Sequence, residues 1–154
     1  MCAFSNRLRA DRRGASAVEF ALVAPLLLAL TLGVVEVARL VSQADAVEKS
    51  LRSAALYAAR SELPLDSATI ATIQNLVRTG TPDGTGDAII PGWDDASSSV
   101  LVEPRTESVS GEDIEVIRLT ADVPFEPLMP GLMNMFGLGD LTIRTSHDQA
   151  YLGI

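Results

Sequence analysis

Residues 14–39 read GASAVEFALVAPLLLALTLGVVEVAR, and the organisation of the whole chain follows from them. From Phe20 to Val35 there is no charged side chain, and the residues back to Ala15 are mostly small and apolar. A helix rises about 1.5 Å per residue, so about 20 residues cross the roughly 30 Å hydrocarbon core of a bilayer. Ala15 to Val35 has that length, interrupted only by the polar residues Ser16, Glu19 and Thr31. A buried helix of a large soluble protein has a similar composition, but the remaining chain is too short and too polar to surround this one. The stretch is predicted to span a membrane.

Working outward, 154 residues accommodate one modest domain beside such an anchor. The net charge of −8 is unevenly placed: residues 1–14 carry +3, through Arg7, Arg9, Arg12 and Arg13 against Asp11, and the remainder −11. Short basic flanks stay in the cytoplasm, which predicts a single-pass protein with its N-terminus inside and its C-terminal part exported. An acidic exported part argues against nucleic acid as a partner, since phosphate binding needs clustered Lys and Arg. Cys2 is the sole cysteine, so no intrachain disulfide can form. It also precedes the apolar run instead of following it, unlike the cysteine of an exported lipoprotein.

The leader is of an unusual kind. A secretory signal has a short apolar core followed by a small-residue cleavage site. Here the apolar run is longer, and Val35-Glu36-Val37-Ala38-Arg39 makes a weak site. A cut before the run would leave the helix attached. Gly14, then Ala15-Ser16-Ala17-Val18-Glu19-Phe20, has the form of a prepilin peptidase site: a basic leader ending in Gly, small residues, an acid five positions on, an aromatic, then an apolar helix.

Gly14 to Arg60 resembles the TadE-like domain of the tight-adherence (Tad, Flp-type) pilus system. The likeness lies in the G-x-x-A-V-E-F opening, the A-P-L-L-L centre, the G-V-V-E-x-x-R exit and the Ala-rich helix ending in A-A-R. The resemblance implies a minor pilin or pseudopilin, with the inner membrane, a prepilin peptidase and other pilin-like subunits as partners and no small-molecule substrate. Gly14 and Ala15 would flank the cut. Glu19, Phe20 and Pro25 would serve assembly. Glu36 and Arg39, spaced i and i+3, would mark the membrane exit. Pro25 reads either as a bend that sets subunit packing or as a tolerated membrane proline. A signal-anchored exported binding protein or enzyme outside any pilus is the alternative.

Beyond the membrane, Val41, Ala44, Val47, Leu51, Ala54 and Ala58 make one apolar stripe. Asp45–Lys49 and Glu48–Arg52 form i,i+4 pairs opposite it. The stripe docks either on the protein's own head or on a partner helix. Pro64 stops this helix, and Asp66 or Ser67 caps a short one through Ile70, Ile73, Leu76 and Val77 to Gly80. Residues 80–99 read as a loop anchored by Ile89, Ile90 and Trp93. Strands are predicted at Val100–Val102, where Pro104 marks either an edge or an end, at Glu115–Val123 with Ile117, Leu119, Ala121 and Val123 on one face, and from Leu141 toward Tyr151. Residues 107–113 read as a loop, and Phe125–Gly139 as irregular.

The expected architecture is therefore α+β and pilin-like: a leader over 1–14, a long helix over 15–61 that spans the membrane to about 36, and an exported head over 62–154 with a small antiparallel sheet. No enzyme is expected. His147 stands alone and is placed at the surface end of a strand; Cys2 is predicted on the opposite side of the membrane, and G-x-S-x-G, H-E-x-x-H, C-x-x-C and Walker patterns are missing. Asp83-Gly84-Thr85-Gly86-Asp87 lacks the register of a calcium loop and reads as a turn. No metal or cofactor is expected.

Overall fold

The computed structural model describes residues 12–153. They fall into two units divided between Ala38 and Arg39, and helix α1 (Arg12–Ala58) runs through both. Most of the leader predicted over 1–14 lies outside the described residues. In the first unit, Leu22, Val23, Leu26, Leu27, Leu28 and Leu30 all face outward, with Leu22 75% exposed. These positions step round the helix by about 100° each, so no side of it is polar. A helix that is apolar all round is stable only out of water. It is long and apolar enough to cross a membrane. Pro25 is accommodated within it, and the Thr31 hydroxyl donates to the Leu27 carbonyl at 2.8 Å, carrying its own partner into apolar surroundings.

The second unit is built on the other half of α1. Val47, Leu51, Ala54, Ala55 and Ala58 are wholly buried, and Leu40 and Ala44 pack beside them. This agrees with the predicted stripe except at Val41, which is 55% exposed. Leu40 and Gln43 turn inward in its place, because at 100° per residue a 3-3-4 spacing drifts round the helix. Glu48 pairs with Arg52 at 3.1 Å. After Ala58 the chain tightens into turns, with the Arg60 and Ser61 amides donating to Tyr57 and Ala58.

Helix α2 (Ser67–Thr79) begins as expected. The Asp66 carboxylate accepts from the Thr69 amide at 2.7 Å, and Gly80 closes the far end in the left-handed region at φ 75°. Ile73 and Val77 are its buried face. The Thr69 hydroxyl and backbone N–H together hold the Asp66 carboxyl below its usual range. A depressed carboxyl stabilises the fold above its unfolded value of about 3.9, and that contribution is lost as pH falls through the folded value. Asp66→Ala should therefore lower the melting temperature at pH 7. The variant and the parent should converge in strong acid, as followed by fluorescence of Trp93.

A single 3-10 turn (Pro91–Asp94) inserts Trp93 into the core, 4% exposed, with the Arg78 guanidinium 5.6 Å from its ring centre. Gly92 lies against the end of the second strand, where a Cβ would overlap the Pro124 carbonyl. The sheet is antiparallel in the order β1 (Ser99–Val109), β2 (Glu112–Pro124), β3 (Thr142–Ala150). Two expectations are corrected here. β1 has 11 residues and runs through Pro104, and residues 107–113 are paired strand apart from a two-residue turn at Ser110-Gly111. An edge strand has one side without ladder bonds, which tolerates a missing N–H. Ser110 and Gly111 both have positive φ, 58° and 86°, the geometry of a tight hairpin turn.

β2 is the central strand. Ile117, Leu119, Ala121 and Val123 are wholly buried, as their alternation predicted. On its other face Arg118 pairs with Asp148 and Asp122 with Arg144, each directly across in the β2–β3 register. Two pairs of reversed polarity penalise a slip of register, since a shifted strand loses both. Residues 125–141 connect β2 to β3 and hold a short helix, α3 (Pro130–Met135), in the stretch expected to be irregular.

Candidate functional site

The residues singled out for processing and assembly are arrayed along α1. Gly14 is helical, and a Cβ added there would meet nothing within 4 Å. Nothing among the described residues therefore requires glycine at this position. Ala15, Glu19 and Phe20 are exposed, Phe20 to 70%. Ala15 and Glu19 are spaced i, i+4, so they share one helix face about 6 Å apart along the axis. Glu19 is the single charge between Gly14 and Glu36. Pro25 follows within the apolar run.

Glu36 and Arg39 differ in environment. Glu36 is 2% exposed, whereas Arg39 is half-buried. The spacing had suggested two interfacial charges, and burial of the acid had no signal in the sequence. Both neighbours of Glu36, Val35 and Val37, point outward.

Elsewhere the polar groups are engaged locally. Both Asp83 oxygens accept from Thr85, one from its amide at 3.2 Å and one from its hydroxyl at 2.8 Å, as in a side-chain-closed turn. These contacts, the hydroxyl first, lower the Asp83 carboxyl from its usual range. His147 is not at the end of a strand. It lies within β3 opposite Leu119, half-buried on the core side of the sheet. Beside it Asp148 is held below the usual carboxylate range by its hydrogen bonds to Arg118 and by that residue's charge. An open groove of about 690 Å³ between the end of α1 and the start of α2 is lined by Tyr57, Arg60, Glu62, Asp66 and Thr69. It brings together one guanidinium, two acids and the hydroxyls of Ser53, Tyr57, Ser61 and Thr69, and the Asp66 carboxylate is engaged as the cap of α2. Among the described residues no three His, Cys, Asp or Glu converge as metal ligands.

The chain's recognisable chemistry is thus concentrated in one helix: a small-residue start, one acid, and an apolar surface on every side. No curated protein and no solved structure matches the chain. The family model described as TadE-like protein does match, over residues 14–60, so α1 from Gly14 onward and the turn after it carry a TadE-like sequence.

Proposed function

We propose that the protein is a membrane-anchored minor pilin, or pseudopilin, of a Tad-type pilus. The TadE-like match over residues 14–60 carries this reading. It coincides with the one helix of the described residues that is long and apolar enough to cross a membrane. In this function a prepilin peptidase cuts after Gly14, the helix stays in the inner membrane, and residues beyond Arg39 are exported. Four arginines ahead of the apolar run support that orientation. The helix then packs against helices of other pilin-like subunits.

The open surroundings of Gly14 support a cleavage role. A residue that the fold does not need to be glycine suits a protease that must approach a bare backbone. The mature chain should begin at Ala15, having lost residues 1–14. Intact mass of the protein isolated from its native host reads this directly. A chain retaining Arg12 and Arg13 would overturn the pilin reading and leave a signal-anchored exported protein.

A further inference from the structure

The connection between β2 and β3 presents apolar side chains to the outside. Leu128, Met129, Met135, Phe136 and Leu138 are all exposed, Met135 to 74% and Phe136 to 61%. This is not the exposure of a loose segment. The Phe125 amide donates to the Leu141 carbonyl at 2.8 Å and closes the base of the loop. The Leu138 amide donates to Met133 at 2.9 Å, and Met133 itself is buried in the core beneath α3. Gly139 lies against the Asn134 side chain so closely that a Cβ would overlap it. One face of the loop is therefore fixed to the core while the other displays Leu, Met and Phe to the surroundings. Between Pro124 and Leu141 the charges are Glu126 and Asp140 alone, one at each base, with no Lys or Arg.

The position of the loop in the second unit indicates what covers it. At one end of the sheet the Leu152 amide donates to the Ala59 carbonyl, and the Tyr151 hydroxyl donates to the Ser61 carbonyl. That end is tied to the C-terminus of α1. The β2–β3 ladder then runs from Val116–Ala150 to Pro124–Thr142, about 27 Å at about 3.4 Å per residue. The loop springs from this opposite end. From Ala58 back to Leu40, α1 covers about 27 Å at about 1.5 Å per residue, and its inner face belongs to the core over that length. Over the same stretch Ala46 and Ser50 of α1 line a groove with Leu76 and Gly80 at the end of α2, and Gln74 of α2 donates to the carbonyl of Val100, whose partner Ala121 lies toward the loop end of β2. Leu40 therefore lies at the loop end of the unit. There the chain leads directly back, through Arg39, into the apolar run.

We propose that this loop docks on the phospholipid surface from which the anchor helix emerges, inserting Leu128, Met135, Phe136 and Leu138 at the headgroup–acyl boundary. The proposal rests on the anchoring reading above. Apolar faces that lie in a membrane interface bury about 5–10 Å deep. Glu126 and Asp140, at the two bases, stay in water and limit the depth. Without a basic residue the contact is apolar, so added salt leaves it unchanged. The docked loop would hold the exported unit against the membrane until the helix is withdrawn into a fibre.

The test uses the full chain in lipid nanodiscs of mixed phosphatidylcholine and phosphatidylglycerol, with Cys2→Ser and one environment-sensitive fluorophore per variant. Labels go on Phe136→Cys, on Leu27→Cys in the apolar run, and on Ser108→Cys near the far hairpin. Met135→Cys repeats the loop position independently. The expected result at 136 and 135 is a blue shift, strong quenching by lipids with a shallow spin label, and loss of quenching by aqueous iodide. Position 108 should show the reverse, and position 27 should be quenched by deep labels. Iodide quenching at 136 and 135 equal to that at 108, with 27 protected, overturns the docking and leaves the anchor intact. Protection at 136 without quenching by lipid labels means that protein covers the loop, which also overturns it. Iodide access at 27 would remove the anchoring reading itself.

Discussion

A Glu19→Ala chain is expected to enter the membrane and be cleaved like the parent, yet to leave a deletion strain without pili. The reason is the isolation of this carboxylate. Glu19 is the fifth residue of the proposed mature chain and the single charge before Glu36. In the proposed orientation it would lie, before assembly, within about 7 Å of the cytoplasmic end of the helix, given about 1.5 Å rise per residue, and so would reach the headgroups. Packing the helix into a bundle takes the carboxylate out of water. An uncompensated buried charge costs several kcal/mol, so the bundle must supply a partner. The new amine of Ala15 on an adjacent subunit has the right charge, and pairing with it would set the axial register between helices. The competing account is a carboxylate that snorkels and pairs with Arg12 or Arg13 in the uncut chain. The two differ in outcome. Full piliation by the alanine variant, at normal protein level and normal cleavage, would reduce Glu19 to an interfacial acid.

Leu51→Ala should cost the second unit about 3 kcal/mol, whereas Val41→Ala should change stability by less than about 0.5 kcal/mol. Both positions belong to the apolar stripe read from spacing alone. In the fold, however, Leu51 is fully buried within the cluster that also holds Ile73, Ile117 and Leu119, and Val41 is 55% exposed. Truncating Leu51 leaves a cavity between helix and sheet, and close-packed surroundings refill such a space only in part. Truncating Val41 removes methyl groups that make no core contact. Trp93 is the sole tryptophan and is buried, so its emission in a denaturant titration of the detergent-solubilised chain reports the transition. Equal losses at the two positions would mean that Val41 also faces a packed surface.

What the amino-acid sequence determined by itself is what depends on neighbours along the chain. Sixteen consecutive uncharged residues from Phe20 to Val35 suffice to make a helix apolar on every side, whatever lies elsewhere. Asp66 three residues before Thr69, with Gly80 at the other end, delimits α2 through backbone groups within a turn of each cap. The alternation from Ile117 to Val123 names the buried face of β2 because successive side chains in a strand point to opposite sides. The opening from Gly14 to Phe20 was legible as a motif for the same reason. Tertiary structure decided the rest. Pro104 read as either an edge or an end, and the assembled sheet chose between them: β1 is an edge strand and continues through it. Arg118 and Asp148 are 30 residues apart, and only strand register brings them together. Val41 faces outward while Leu40 and Gln43 turn in, since the side of a helix that is buried depends on what packs there. Glu36 is withdrawn from water although its sequence neighbours are exposed. The outward Met and Phe of the β2–β3 loop had no periodicity to reveal them. Their arrangement comes from Met133 being held in the core while the residues on either side cannot follow it in.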